Sequence, residues 1–338
     1  MRLARWVVIL LNMALLVGGS GYVRAEQAYP IIIDHALGQT VILKRPERIA
    51  TVAWANHETP LALGKVPVGF ARTDFGDDDG DGVLPWVEKK LGELGATTPV
   101  LFDEGDGIDF EAVAAVKPDV ILASYSALSQ ADYDILSQIA PVVAYPDAPW
   151  STDWRQMIEL SSKGIGMAAE GSALIRDLEM KIKSAADSRP EIVGKSAMFI
   201  THIDETNLSQ VNFYTANDAR LKFLGDLGMR QPNSVLRSTP VGKYSASVSA
   251  ENVDTFSDVD IVVTYGSDKL LNALRSSPML SKMPAISNNS IVVLGNNPVA
   301  AGANPTPLSI PYILDAYVDR LAEAARKSQA ATPDNQLK

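Results

Sequence analysis

The stretch "DFEAVAAVKPDVILASY" (residues 109–125) has a counterpart in "SAENVDTFSDVDIVVTY" (residues 249–265). Both run through an acid, an apolar helical stretch, a turn, an aspartate, four apolar residues and a tyrosine. In the first copy, residues 110–116 have helical spacing and Lys117-Pro118-Asp119 breaks them. The continuous apolar run 120–123 then reads as a strand buried on both faces. Helices alternating with buried strands build parallel βαβ units, and a weak internal repeat in separate halves implies two lobes of one architecture.

The pattern extends outward from both copies. "RPERIATVAWANHETPLALGKVPVGFA" (residues 45–71) reads as strand, helix ending at Gly64, and strand. A helix over 130–139 and a strand over 142–145 follow. In the second half, "KSAMFITHI" (195–203) is a strand and "NDARLKFLGDLGM" (217–229) a helix ended by glycine. Between the halves, Ser151 or Thr152 can cap a first helix. Leu174, Ile175, Leu178, Ile182 and Ala185 then recur at helical spacing over 168–186, until Pro190 stops them. The expected division is a leader (1–25), an N-terminal α/β lobe (26–150), a connecting helical segment (151–190), a C-terminal α/β lobe (191–327) and a polar, disordered tail (328–338).

The first residues combine Arg2 and Arg5, an apolar run from Trp6 to Val17, and small residues at Val23 and Ala25. That is the layout of a secretory leader cut after Ala25, and the run is too short to span a bilayer. Cysteine is absent, so neither disulfides nor a lipid-bearing cysteine is available. A freely diffusing periplasmic monomer is expected. Removing the three leader arginines from 30 basic residues leaves 27 against 40 acidic ones. Such a field disfavours nucleic acid and anionic membranes, and no membrane insertion is expected. The mature length exceeds a single core.

Catalytic signatures are missing: there is no cysteine, no G-x-S-x-G and no phosphate loop with its lysine, so no catalytic residues and no enzyme are expected. His35, His57 and His202 stand in unrelated contexts, which argues against a zinc site. Ligands of parallel sheets bind outside the carboxyl ends of strands. The residues just past the expected strands are Trp54, Asn56 and His57, Arg72, Tyr125, Trp150, Asp204, Tyr265 and the run 296–304. Residues 212–218 and 236–247 read as loops carrying Tyr214, Arg237, Lys243 and Tyr244. This rim can stack on a flat ligand and neutralise an anionic one.

One further motif is "DFGDDDGDGVLPWVEKKLG" (residues 74–92). It matches the calcium loop D-x-[DN]-x-[DN]-G-x5-E with Asp77, Asp79, Asp81, Gly82 and Glu88. An EF-hand needs a helix on both sides, whereas residues 66–76 read as a strand leaving its sheet. An acidic turn before a helix over 84–91, with Pro85 in its first turn, explains the same residues. Both readings stay open; under either, the loop braces the rim beside Arg72.

"RPERIATV", "LALGKVPVGF", "DFEAVAAVKPDVILASYS", "IAPVVAYP", "DWRQMIELSSKGIGM" and "SAENVDTFSDVDIVV", in that order, resemble the iron-siderophore and cobalamin substrate-binding proteins of ABC importers. The likeness spans roughly residues 31–325 and is strongest to the ferric-siderophore branch. It implies an α/β fold of two similar lobes with parallel-type sheets, joined by a single long α-helix as in class III periplasmic binding proteins. It also implies a shallow inter-lobe cleft and an inner-membrane ABC permease dimer with its ATPase as partner. By motif, Glu111 and Glu251 match the acids through which such proteins dock on permease arginines. No cofactor is required, ferric iron arriving only within the siderophore; calcium enters only through the acidic loop.

The ligand contacts expected are Trp54, Tyr125, Trp150 and Tyr214 as apolar walls, His57 and Tyr265 beside them, and Arg72, Arg237 and Lys243 for anionic groups. A catecholate complex needs all three cations; a hydroxamate complex, neutral or cationic, depends on aromatics and amides. The alternatives are haem, with Tyr125, Tyr265 or His57 as axial ligand, cobalamin, a secreted α/β hydrolase, and a calcium-dependent adhesion module.

Overall fold

The computed structural model describes residues 28–201 and 205–330. The leader, His202, Asp204 and residues 331–338 lie outside them. A hairpin of β1 (Ile31–His35) and β2 (Gly38–Ile42), which the repeat pattern did not foretell, opens the chain. Ile31, Ile33 and Ile42 on its inner face pack against Val120, Leu122 and Val143.

The first lobe then alternates strand and helix: β3 (Ile49–Thr51), α1 (Glu58–Ala62), β4 (Gly69–Ala71), α2 (Pro85–Glu93), β5 (Val100–Phe102), α3 (Phe110–Ala115), β6 (Val120–Ala123), α4 (Gln130–Ile139) and β7 (Val142–Ala144). All five strands are parallel in the order β5-β4-β3-β6-β7. Helices on both faces explain why every residue of β6 is buried. The first repeat copy therefore folds as expected, with Asp109 capping α3 through the Ala112 amide.

Two helices cross between the lobes, α5 (Trp154–Gly164) and α6 (Ala168–Asp187). The cap of α5 is Asp153, not Ser151 or Thr152. Its carboxylate accepts from Arg155 and Gln156 amides while the Gln156 side chain answers, a reciprocal box that a hydroxyl matches less strongly. Thr152 instead donates to the Ser124 carbonyl. Helix α5 packs on the first lobe, and α6, about 30 Å long at 1.5 Å per residue, buries Ile175, Leu178 and Ile182 in a core shared by both lobes. Gly171 permits the close crossing: a Cβ there would lie 2.1 Å from Ser162 Oγ.

The second lobe contains β8 (Ala197–Ile200), β9 (Gln210–Tyr214), α7 (Ala219–Asp226), α8 (Asn233–Arg237), β10 (Ser245–Ser249), β11 (Ile261–Tyr265), α9 (Asp268–Ser276), α10 (Pro284–Ser287), β12 (Ile291–Leu294), α11 (Pro298–Gly302) and α12 (Ser309–Ala330). Its sheet, β10-β9-β8-β11-β12, is mixed, with β9 antiparallel to both neighbours. The reading of 212–214 and 245–247 as loop is thus corrected. Val211 and Phe213 are buried while Gln210 and Asn212 face water, a period-2 pattern too short to register as a strand. The second repeat copy also departs from the first. A 3-10 helix (Ala250–Phe256), kinked at Asn252, replaces the α-helix. Helix α12 continues through Ser328, so the expected tail does not begin there.

What the two copies do share is an aspartate. Asp119 accepts from the Arg48 amide at 2.9 Å, and Asp260 from the Ser196 amide at 2.8 Å. Each donor is the residue before the neighbouring strand, so each aspartate registers a strand pair.

Candidate functional site

The N-lobe wall is built by loops leaving β3, β6 and β7. After β3 the chain passes through Ala53 (φ 61°) and Ala55 (φ 60°), left-handed positions that cost an alanine on the order of 1 kcal/mol each. Buried Asn56 holds this turn. Its amide donates to the Val52 and Tyr125 carbonyls, 2.8 and 2.9 Å, and its oxygen accepts from the Tyr125 amide and Ser124 hydroxyl. One side chain so fixes Trp54 and Tyr125 together. Trp150 (φ 57°) donates its amide to the Ser126 carbonyl and meets Tyr125 edge-on, 5.1 Å between rings.

The second lobe answers with Tyr214 from β9, Asp218 and Arg220 at the start of α7, Tyr244 before β10, Tyr265 ending β11, and Asn304 after α11. Together with Phe75, these residues line a cavity of about 230 Å³ between the lobes. Arg220 organises this side. Its Nη1 pairs with the buried Asp218 at 3.0 Å, its Nε donates to the Tyr265 hydroxyl at 2.9 Å, and its guanidinium lies 4.2 Å above the Tyr214 ring. Asn304 donates across the cleft to the Tyr125 hydroxyl, 3.2 Å.

Burial sets the ionisation states. It pushes the Tyr125 phenol up to about 12 and raises those of Tyr214 and Tyr265, so the rings are neutral at physiological pH. Burial also raises Asp218, against the attraction of Arg220. Burial by itself would lower Arg220, but Tyr265 and Asp218 hold it well above its ordinary value. The cavity is therefore aromatic, with one cation already neutralised by its neighbour.

Trp54, Tyr125, Trp150, Tyr214 and Tyr265, expected from the sequence, converge here. His57 does not. It is buried behind α1, stacked on Phe70 at 4.3 Å, and burial lowers it to about 3. Arg237 and Lys243 do not line the cavity either: Arg237 is exposed at the end of α8, and a turn at 240–243 presents the Lys243 carbonyl inward, to Thr215 and Asn217, and leaves its ammonium exposed. Arg72 lies in an adjoining hollow, paired with Asp74 at 2.8 Å. Phe75 and Arg220 were missed; the only sequence signal of Arg220 is an Asp-x-Arg at a helix start.

Asp77, Asp79 and Asp81 bring carboxylate oxygens within 4.8 Å of one another. Glu88 is outside that group, on the first turn of α2, and Asp77 accepts the Gly80 and Gly82 amides. The start of the loop bridges the first lobe to the second. The Gly76 amide donates to Asn296 of the second lobe at 2.7 Å, Phe75 meets Tyr265 edge-on, and a Cβ on Gly76 would lie 2.3 Å from that of Ala301. Glu111 and Glu251 are both exposed in the first turn of matching elements, one per lobe.

Residues 49–298 match the sequence profile of the family described as periplasmic binding protein. The chain belongs to that family. As a periplasmic binding protein it is similar to PiaA of Streptococcus pneumoniae TIGR4, solved in complex with ferrichrome. The two are 44% identical with a TM-score of 0.85, covering 88% of this chain and 99% of PiaA. It is also 24% identical to the ferric enterobactin-binding FepB, over 85% of this chain and 90% of FepB. The Fe(3+) dicitrate-binding FecB is 22% identical, over 79% of this chain and 85% of FecB; both are periplasmic proteins of Escherichia coli. Among the described residues of this periplasmic binding protein, no helix is long and apolar enough to cross a membrane.

Proposed function

We propose that this chain is the periplasmic carrier of a ferric hydroxamate siderophore, which it holds between its lobes and delivers to an inner-membrane ABC permease and its ATPase. The observation that carries this reading is the cavity's chemistry: Trp54, Tyr125, Trp150, Tyr214, Tyr244 and Tyr265 around an arginine neutralised by Asp218. A ferric trihydroxamate has little or no net charge, so it gains from aromatic walls and needs only N–H and O–H donors for its oxygens. A ferric catecholate carries several negative charges, and the three cations it would require are dispersed outside this cavity. The bound ferrichrome of PiaA supports the same class. Haem fits less well, since burial disfavours the phenolate forms of Tyr125 and Tyr265 and His57 stands away from the cavity.

The mechanism is capture and docking, with no bond made or broken by the protein. Inter-lobe hydrogen bonds, Tyr125 to Asn304 and Gly76 to Asn296, join α6 in keeping closure small on binding. Glu111 and Glu251 present one acid per lobe to permease cations, and the leader sends the chain to the periplasm.

Tryptophan quenching with ferrichrome, a ferric catecholate, ferric citrate, haem and cobalamin tests the assignment. Micromolar or tighter binding of ferrichrome in preference to the others is expected; a catecholate binding more tightly than ferrichrome overturns it.

A further inference from the structure

Beside the aromatic cavity lies a second hollow of about 380 Å³, which shares Trp54 and Trp150 with it and is otherwise formed by the first lobe. Its floor carries Glu104, on the loop between β5 and α3. The half-buried carboxylate accepts the Ala53 amide at 2.9 Å and has no ion pair among the described residues. Burial pushes this carboxyl up to about 7, the amide being the one group drawing it down. The other charges lining the hollow are committed elsewhere: Arg72 to Asp74, and Asp132 to the Ser129 cap of α4.

A carboxylate so placed, with spare lone pairs facing a cavity contiguous with the ligand site, is matched by a cation that arrives with the ligand. We infer that this hollow is a subsite for a protonated alkylamine arm of the bound siderophore, with Glu104 as its counter-ion. The inference rests on the hydroxamate reading above. The iron centre then occupies the aromatic cavity while the arm crosses the Trp54–Trp150 edge, its methylenes against those rings and its ammonium at Glu104. A neutral cyclic ligand leaves the hollow to water. The chain would consequently distinguish hydroxamates by the charge of a group remote from the iron.

The test compares three ferric trihydroxamates by quenching or calorimetry at pH 8: ferrichrome, desferrioxamine B with its terminal primary amine, and N-acetyl desferrioxamine B. The amine form should bind at least about tenfold more tightly than the acetyl form. Glu104→Gln, which keeps an oxygen for the Ala53 amide, should erase that ratio while leaving ferrichrome affinity unchanged, the latter also certifying its fold. Asp132→Asn should keep the ratio. Equal binding of amine and acetyl forms to the wild type, or a ratio that survives in Glu104→Gln, overturns the subsite. Failure of all three hydroxamates to bind overturns instead the reading on which it rests.

Discussion

The carboxylate of Glu58, in the first lobe, accepts a hydrogen bond from the Leu308 amide of the second lobe, 2.9 Å away. The Ser309 amide and Thr306 hydroxyl share that oxygen, and Trp86 Nε1 donates to the other at 2.7 Å. The group is fully buried at the N-terminus of the 22-residue α12, where unpaired amides favour an acceptor. It ties the lobes together.

Burial nevertheless wins over these donors and pushes Glu58 from 4.5 to about 7. With the folded value above the unfolded one, the associated stability is full below pH 4.5 and is lost as pH rises through about 7. The loss amounts to about 3 kcal/mol. Urea unfolding of wild type and Glu58→Gln across pH 4.5–8 should show the wild type losing that much relative to the variant. Parallel curves would refute the assignment.

His57 has the opposite sign. Its folded value, about 3, lies below the ordinary 6.5, so its stability is present above pH 6.5 and lost as pH falls toward 3. In His57→Gln this acid-side loss should vanish. Ferrichrome affinity at pH 8 should stay within about twofold, since the ring packs on Phe70 and not on the cavity. A tenfold affinity loss would place His57 back at the ligand.

Cations separate the cavity from its surroundings. Arg220→Gln removes the partner of buried Asp218 and a donor to Tyr265, and should weaken ferrichrome binding by at least about tenfold. Arg237→Ala and Lys243→Ala, both exposed and outside the lining, should leave the affinity unchanged. Any loss from the latter pair would show that the ligand extends beyond the cavity.

Glu111→Lys and Glu251→Lys reverse exposed charges in the first turns of α3 and the 3-10 helix (Ala250–Phe256). Ligand affinity in solution should persist while iron uptake by cells falls, more in the double variant than in either single one. Reduced ligand affinity would remove both residues from the docking surface.

Much of the first lobe was legible because its rules are local. Helical spacing over 110–116, the Pro118 break and the apolar run of β6 each read within a few residues, and Trp54, Tyr125 and Trp150 follow from standing just past strands. The second lobe was less so: β9 and β10 are short, alternating and antiparallel, and Asn252 spoils the helix that the repeat led one to expect.

The chain by itself determined the α/β repeat, the connecting helix and the aromatic character of the rim, since periodicity and residue type are properties of neighbours along the sequence. Tertiary structure alone decided which charges matter. Glu58 and Arg220 look like ordinary helix-start residues until segments some 250 and 45 positions away bury them with their partners. Arg237 and Lys243 look equally useful until the end of α8 and the turn at 240–243 leave them in water. A charge takes its role from the free energy of desolvation, and desolvation is settled by contacts between residues remote in sequence.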